Sequence, residues 1–384
     1  MGEWKRVKLG DVADYVTDKS EVMGLALEDY ISTENMLPNK GGISLASSVP
    51  SYGSVTEFCQ GDVLVSNIRP YFKKIWKATR DGFCSNDILA LRVKNCICDS
   101  FLFSALSNDV FFDYVMASAK GTKMPRGDKQ QILEYPILLP PLPTQRKIAA
   151  VLSSLDDKIE NNRKICANLE AQAQAIFKSW FVDFEPFGGK MPQGWKMGRL
   201  GDVAIYRQGK IAANELTAET YYSTENMLPD KQGLMPATSL PQIGEVPVCE
   251  KGDVLISNIR PYFKKICFSW SHGGHSPDVL CLAAKNDNMR YWLYRQLWDD
   301  AFFAYVMSSA KGTKMPRGDK EQILAYGMAI PNENDVARFN AVIEPMCESI
   351  VSKRIESRAL AATRDALLPK LMSGEIDVEK VKVA

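Results

Sequence analysis

The sequence is poor in the residues that usually build metal and catalytic sites. Its two histidines, His272 and His275, lie in a Ser/Gly-rich stretch that predicts a solvated loop. Nine cysteines are scattered along the chain, and the closest two, Cys96 and Cys98, do not have a zinc-ligand spacing. We therefore expect reduced, mostly buried thiols and no metal site.

Long apolar runs and a large charge of one sign are also missing. No run of about 18 apolar residues occurs, and the N-terminal MGEWKR lacks the apolar core of an export signal, so we expect a cytoplasmic protein. The formal net charge of +1 argues against indiscriminate binding of polyanions. It does not argue against DNA binding, which depends on local clusters of cations.

Three catalytic signatures are absent. An adenine methyltransferase would need an Asn/Asp-Pro-Pro-aromatic motif, but Pro-Pro occurs only after Leu139. No GxxxxGK[ST] phosphate loop is present, which excludes the usual nucleotide-driven motor. The closest approach to a metal-dependent nuclease motif, PDVLCLAAK at Pro277, has Ala283 where a second acid is needed. The chain is therefore predicted to be non-catalytic.

An internal repeat is the strongest signal in the sequence. STENMLP occurs at Ser32 and again at Ser223, a step of 191 residues. At the same step, GDVLVSNIRPYFKKI at Gly61 returns as GDVLISNIRPYFKKI, and the 23 residues from Phe111 return with three differences. Each copy spans half of the chain, so each is a whole domain with a connector rather than one unit of a solenoid.

Each copy divides into a sheet-forming part and a helical part. Alternating apolar stretches broken by Gly, Pro and Asn predict an α+β domain with a mixed sheet, and a proline cluster ending at Pro143 stops the sheet and lets a long helix begin near Thr144. We expect two similar domains related by a pseudo-two-fold axis and separated by two long antiparallel coiled-coil helices. The predicted boundaries are 1–142 and 191–331 for the domains, 143–190 for the central helix and linker, and 332–384 for the distal helix and tail.

Apolar residues at alternating steps of four and three mark the seam of the two helices. Asn162 interrupts the seam, where it either sets the register or is simply tolerated. Pro345 in the second helix predicts a kink or a later start. The seam residues are Ile148, Leu152, Leu155, Ile159, Asn162, Cys166, Leu169, Ala173, Ile176 and Trp180 in the first helix, and Phe339, Ile343, Met346, Ile350, Leu360, Leu367 and Leu371 in the second.

Basic and aromatic residues cluster in two motifs of each copy. In NIRPYFKK, strand alternation would place Arg69, Tyr71 and Lys73 on one face. In KGTKMPRGDK, two glycines and a proline predict a constrained turn whose cations and backbone amides meet phosphates together. A solvated charged loop is the alternative, but both copies keep the same spacing. The predicted DNA-binding residues in these motifs are Arg69, Tyr71, Lys73, Lys74, Lys120, Thr122, Lys123 and Arg126, and in the second copy Arg260, Tyr262, Lys264, Lys265, Lys311, Thr313, Lys314 and Arg317.

The repeated STENM segment is the third candidate for DNA contact. Its amide side chain could pair with an adenine edge, and its carboxylate could accept a hydrogen bond from cytosine. A turn or helix-cap role for Ser32 and Thr33 is the other interpretation. The candidate residues are Ser32, Glu34 and Asn35, with Ser223, Glu225 and Asn226 in the second copy.

Taken together, the sequence resembles the type I restriction-modification specificity subunits over nearly its whole length. The markers are the junction LPPLPTQRKIAAVLSSLDDKIENNRK, the segment AQAIFKSWFVDFEPF, the domain start GWKMGRLGDVA at Gly194 and the terminus LLPKLMSGEI at Leu367. The resemblance implies two target-recognition domains, each reading one half of a bipartite DNA sequence, and two long helices that act as a ruler for the spacer.

Partners and cofactors follow from the resemblance alone. It implies that two methyltransferase subunits dock on the chain, use S-adenosylmethionine and flip one adenine in each half-site, and that restriction-translocase subunits using ATP and Mg²⁺ join for cleavage. Recognition domains of one subunit commonly differ strongly, whereas these two share three motifs, so we expect a near-palindromic target. A helical scaffold that assembles other proteins without reading DNA is the rival interpretation.

Overall fold

The computed structural model describes residues 4–22 and 24–381. By their contacts the residues form two compact units: unit 1 is Met1–Asn161 with Glu356–Ala384, and unit 2 is Asn162–Ile355. Each unit thus holds one sheet-rich domain and part of both long helices. The first three residues, used above to predict the lack of an export signal, lie outside the described residues.

Unit 1 forms three sheets from short strands. One four-stranded sheet, in the order β2-β9-β6-β7, is antiparallel throughout. The second, β3-β5-β8-β4, is mixed because β4 runs parallel to β8, and β1 pairs with β10 in a third sheet. The strands are β1 (Lys5–Lys8), β2 (Ala13–Tyr15), β3 (Lys19–Glu21), β4 (Tyr30–Ile31), β5 (Ser54–Phe58), β6 (Val63–Ser66), β7 (Ile75–Lys77), β8 (Gly82–Cys84), β9 (Ile88–Val93) and β10 (Pro136–Leu139).

The central strand β6 is apolar at successive positions because both of its faces are covered. Val63 and Val65 point to the larger core, which they share with the helices of the unit. Leu64, between them, points to the opposite face and joins a second core with Phe58 and Ala90. Successive side chains of a strand point to opposite faces of the sheet. Because both faces of β6 are buried, successive positions are apolar and the run is continuous.

The helices of unit 1 cover its sheets. Asn108 caps the helix after it by accepting a hydrogen bond from the Val110 amide, and Asp128 caps the next one through Gln130 and Gln131. The short helices are α1 (Leu9–Val12), α2 (Asp99–Leu106), α3 (Asp109–Ala117) and α4 (Lys129–Leu133), and the long α5 (Leu142–Phe181) begins in this unit.

Unit 2 repeats this architecture with the same strand order. Its sheets are β12-β19-β16-β17, β13-β15-β18-β14 and β11-β20, with β14 again parallel to β18. The strands are β11 (Lys196–Arg199), β12 (Ala204–Tyr206), β13 (Lys210–Ala212), β14 (Tyr221–Tyr222), β15 (Glu245–Cys249), β16 (Val254–Ser257), β17 (Ile266–Phe268), β18 (Gly273–His275), β19 (Val279–Ala284) and β20 (Gly327–Ile330); the helices are α6 (Leu200–Val203), α7 (Arg290–Trp298), α8 (Asp300–Ser308), α9 (Lys320–Leu324) and the long α10 (Glu333–Ser373). The predicted α+β class with mixed sheets is confirmed.

One histidine does not lie where the sequence suggested. His272 is exposed and contacts Glu250, but His275 is only 5% exposed within strand β18. Burial lowers the pKa of His275. The two glycines before it, expected to form a loop, instead allow close packing: a Cβ on Gly274 would lie 2.6 Å from Val246 Cγ2. The cysteines are free and six of the nine are buried, as expected.

Within each unit the two long helices run antiparallel. In unit 1, Arg364 of α10 binds Asp156 of α5 at 2.7 Å, and Ile148 and Leu152 share the domain core with Leu371. In unit 2, the rings of Phe177 and Phe339 pack 6.2 Å apart, centroid to centroid, in the core of that domain. The helices therefore bury their apolar stripes against their own domain as well as against each other.

The buried stripe drifts away from the predicted heptad. Ile176 and Trp180, assigned to the seam, are half-buried, whereas Phe177 is fully buried and Phe181 is 6% exposed. On α10 the same shift puts Cys347 rather than Met346, and Leu368 rather than Leu367, in the core. A straight α-helix has 3.6 residues per turn, so a 3.5-residue stripe rotates off the buried face over several turns. Leu155, Ile159, Leu169 and Leu360 are also half-buried.

Pro345 does not delay the start of the second helix. Helix α10 runs without interruption through it, from Glu333 to Ser373. The proline removes one backbone donor, but Ile343 and Cys347 on either side are buried in the unit 2 core. Packing of this face offsets the lost hydrogen bond. A sequence pattern does not show how strongly the face is packed. In the part of the chain that the structure describes, no helix has the length and apolar character needed to cross a membrane.

The drift of the stripe predicts unequal effects of two neighbouring truncations. Phe177→Ala should lower the free energy of unfolding by about 3 to 5 kcal/mol, because it leaves a cavity among buried aromatic rings. Ile176→Ala, the matched control, should cost at most about half as much, since this side chain is half-buried. Urea denaturation of the full chain, followed by tryptophan fluorescence, measures both; equal losses would contradict the observed register.

Candidate nucleic-acid interface

The NIRPYFKK motif is a tight turn and not a strand, so the predicted alternation of its side chains is wrong. Pro70–Phe72 forms a 3-10 turn, and the flanking Arg69 and Lys73 both have left-handed backbones, with φ of 49° and 51°. Unit 2 repeats these values as 50° at Arg260 and 49° at Lys264. Left-handed non-glycine residues are strained, by about 1 kcal/mol or more each, and persist only where surrounding contacts impose them.

The second motif supplies those contacts. The Arg69 amide donates a hydrogen bond to the Pro125 carbonyl at 2.8 Å, and Ile68 forms a β-bridge with Arg126. Lys120 and Arg126 exchange two backbone hydrogen bonds, of 2.9 and 3.0 Å, which close the Gly-Thr-Lys-Met-Pro turn. The two cationic motifs, 50 residues apart in sequence, therefore form one surface. Equivalent bonds link Arg260 to Pro316 and Lys311 to Arg317.

STENM joins the same surface through a buried lysine. The Lys74 ammonium donates to the Thr33 carbonyl at 2.6 Å, and Lys265 donates to Thr224 at the same distance. Burial lowers the pKa of both lysines, more than the nearby glutamate of STENM raises it. Lys74 is therefore a structural link between the two segments, and its side chain is only partly accessible to a ligand.

The asparagine of STENM is not available to read bases. Asn35 is 5% exposed, and its side-chain amide donates to the carbonyls of Tyr30 and Ser44. Its oxygen accepts the Ser32 amide at 2.6 Å, so its hydrogen-bonding groups are occupied by the turn itself. Asn226 is bound in the same way by Tyr221, Met235 and Ser223. The prediction that these asparagines pair with adenine is contradicted, because the amide stabilises the turn from inside.

The serine of this segment has a turn role, which was the alternative interpretation. The Ser32 hydroxyl accepts the amide of Glu34 at 3.2 Å, and Ser223 makes the same side-chain contact with Asn226 as Ser32 makes with Asn35. Glu34 and Glu225 remain exposed at the tip. Only the carboxylates of STENM are thus presented to a ligand.

Half of the predicted phosphate-binding cations in each unit are already in ion pairs. Lys120 binds Asp128 at 2.8 Å, Arg126 binds Asp87 at 3.0 Å and Lys73 binds Asp109 at 2.8 Å. The unit 2 pairs are Lys311–Asp319, Arg317–Asp278 and Lys264–Asp300, at 2.6, 2.9 and 3.1 Å. Exposed pairs of this kind are weak and screened by salt, so a phosphate can replace the carboxylate.

Two of the predicted DNA-binding lysines are exposed and form no ion pair among the described residues. Lys123 and Lys314 lie at the tips of the two KGTKMPRGDK turns, beside the exposed Thr122 and Thr313. Left-handed Gly121 and Gly312, with φ of 95° and 96°, shape these turns. These tips belong to what we call the three-segment surface: residues 32–40, 67–74 and 120–128, with 223–231, 258–265 and 311–319 in unit 2.

The sequence prediction missed Lys40 and Asp109. The side chain of Lys40 is 8% exposed and its ammonium lies 2.8 Å from Asp109, which also binds Lys73. The amide of Lys40 donates to the Lys73 carbonyl, which ties this segment to the tight turn. Lys231, Lys264 and Asp300 repeat the arrangement. Lys40 and Asp109 are each the same residue in the two copies, and this identity could have indicated them. Neither lies in one of the cationic motifs of the sequence.

Exposed aromatic side chains were only partly predicted. Tyr71 is 47% exposed and packs on Phe72, which is 39% exposed, with ring centroids 4.6 Å apart. Tyr262 and Phe263 form the same pair at 4.7 Å. Such rings offer a flat apolar face between cations. Within the described residues, no group of three or more possible ligands could hold a metal ion.

Comparison with known proteins shows which family this chain resembles. A model of the type I restriction modification DNA specificity domain matches residues 1–171, and the second half of the chain repeats that region. The MjaIX type I restriction enzyme specificity subunit of Methanocaldococcus jannaschii is 24% identical over 98% of this chain and 94% of its own length. By these matches the chain resembles the type I restriction-modification specificity subunits over nearly its whole length.

Other similar proteins are matched over shorter lengths or by fold. The HindI specificity subunit of Haemophilus influenzae is 29% identical over 62% of this chain and 53% of its own. A crystal structure of the type I restriction-modification S subunit from M. genitalium has a TM-score of 0.57 at 16% identity and covers 96% of both chains. That structure supports the fold alone.

The Asp109 cluster predicts a pH dependence of stability. Burial disfavours the charged carboxylate, but the hydrogen bonds from Lys40 and Lys73 outweigh it and lower the pKa of Asp109. A lowered carboxyl pKa stabilises the fold above the unfolded-state value, and this contribution is lost as the pH falls through the folded-state value. The stability difference between the wild type and Asp109→Asn should therefore be present at neutral pH and vanish in acid.

Urea midpoints measured from neutral pH downward test this expectation. Asp113→Asn, which removes an exposed carboxylate from the same helix, controls for the loss of one negative charge. A difference between wild type and Asp109→Asn that stays constant through the acid range would contradict the cluster.

Proposed function

We propose that this specificity subunit reads a bipartite DNA target, one half with the three-segment surface of each unit, and directs adenine-N6 methylation and restriction by partner subunits. Specificity subunits are the sequence-specific DNA-recognition component of type I enzymes and are not themselves catalysts. The single observation that carries the proposal is that the same cationic surface is built twice in one chain.

The physical argument for DNA rests on rigid turns whose cations can exchange a carboxylate for a phosphate. The tight turns hold their backbone amides in fixed positions, so little backbone freedom is lost when phosphates bind. The weak pairs of Lys73, Lys120 and Arg126 release their cations to a stronger anion. Phosphate contacts of this kind position a protein on the duplex, while base edges are read by other side chains at the same surface.

The partners in the proposal are those of the family. Two methyltransferase subunits would supply S-adenosylmethionine chemistry and flip one adenine in each half-site, and restriction-translocase subunits would use ATP and Mg²⁺ for cleavage. The two long helices would set the spacer between the half-sites. These assignments belong to the whole enzyme and not to any residue of this chain.

Lys123 and Lys314 give a direct test of phosphate contact. Replacing both by Gln should weaken binding of the assembled methyltransferase complex to its target and lower the slope of log K against log salt by about 1 for each lost phosphate contact. Lys190→Gln, an exposed lysine of the linker, is the matched control. Target binding that is unaffected by the double variant would refute phosphate contact by these two lysines, and a complex that binds no specific duplex would favour the scaffold interpretation.

The close likeness of the two surfaces predicts a near-palindromic target. STENMLP and KGTKMPRGDK are identical in the two units, so the half-sites should be the same or nearly the same on opposite strands. Co-expression with a cognate methyltransferase, followed by single-molecule sequencing of host DNA for N6-methyladenine, reads both half-sites and the spacer. Two unrelated half-sites would refute the near-palindrome, and a stable complex without new methylation would refute the proposed function.

A further inference from the structure

One exposed loop differs between the two units although its ends are held identically. It comprises residues 44–53 in unit 1 and 235–244 in unit 2, and seven residues separate it from STENM in the chain. Near its end lie Tyr52, which is 87% exposed, and Ile243, which is 90% exposed. These are the most exposed large hydrophobic side chains among the residues that the structure describes, and they occupy the same position of the repeat.

The start of the loop is anchored on the buried asparagine of STENM. In unit 1 the Ser44 amide donates to the Asn35 carbonyl at 2.8 Å, while the Asn35 side chain donates to the Ser44 carbonyl at 3.0 Å. In unit 2 the Met235 amide and carbonyl make the same two bonds with Asn226, at 2.9 and 3.1 Å. The loop therefore leaves the three-segment surface from the same point in both units.

The end of the loop is also matched. Gly53 and Gly244 have left-handed backbones, with φ of 96° and 85°, which favour glycine. The Gly53 carbonyl accepts the Val22 amide at 3.1 Å, and the Gly244 carbonyl accepts the Ala213 amide at 2.9 Å. Both ends are thus fixed alike, while the loops differ at six of their ten residues, among them the two highly exposed positions Tyr52 and Ile243.

The two side chains offer different chemistry to a base edge. A tyrosine has a flat ring and a hydroxyl that donates and accepts hydrogen bonds, so it can address a polar base edge. An isoleucine has no polar atom, and the apolar group that a base presents in the major groove is the thymine methyl. A large apolar side chain left in water is unfavourable, so contact with such a group would be gained on binding.

We infer that Tyr52 and Ile243 read one base pair in their respective half-sites and are the residues that make the two half-sites differ, with Ile243 selecting thymine through its methyl group. The inference rests on the proposed function. The occupant is DNA rather than a methyltransferase subunit, because two copies of one partner would meet matching surfaces, whereas two half-sites of DNA can differ.

Exchanging the two side chains tests the inference. Tyr52→Ile, Ile243→Tyr and the double exchange are each co-expressed with the methyltransferase, and the methylated motif is read by single-molecule sequencing. Since a wrong base pair typically reduces binding by about tenfold or more, the base preference at one position should follow the side chain. Each single exchange should make the half-sites alike at that position, and the double exchange should swap them.

Leu138→Ala with Ala329→Leu is the matched control, because it exchanges another pair of equivalent side chains, on β10 and β20, and should leave the motif unchanged. An unaltered motif in all three loop variants would overturn the inference, as would wild-type half-sites that are identical at every position. Loss of the methyltransferase complex in the loop variants would overturn it too, since the loop would then be a protein contact. Absence of any split motif in the wild type would instead remove the proposed function itself.

Discussion

The hydrogen bond from the Arg69 amide to the Pro125 carbonyl, repeated between Arg260 and Pro316, is the contact on which the three-segment surface depends. It joins two turns that are far apart in sequence and holds Arg69 in a left-handed conformation that a free chain would avoid. With the turns locked together, the backbone that carries these lysines is held in one conformation. A surface of this kind meets a regular array of phosphates without first being ordered.

The same surface shows why net charge says little about DNA binding. Carboxylates of Asp87, Asp109 and Asp128 pair with cations of this surface in unit 1, so these pairs add nothing to the net charge of the chain. These pairs keep the turns folded when DNA is absent. Salt-sensitive exchange of a carboxylate for a phosphate then gives a reversible contact.

The duplicated units differ more inside than at this surface. Arg295 of unit 2 is fully buried and binds Glu170 at 2.6 Å, while Ser104 stands at the equivalent position of unit 1. Removing one member of such a buried pair would leave an uncompensated charge, so unit 2 depends on an interaction that unit 1 lacks. The surface motifs are therefore the same in the two units, whereas the two cores are packed differently.

Local signals in the sequence were enough to determine the duplication, the α+β class, the two long helices and the cationic motifs, because repeats, periodicity and glycine-proline turns are short-range patterns. Tertiary structure alone decided that Asn35 is buried inside its turn, that PYFKK is not a strand, and that Phe177 rather than Ile176 faces the core. It also added Lys40 and Asp109 to the surface. These outcomes depend on contacts between residues that are distant in sequence. A local sequence pattern does not show which distant residues will be in contact.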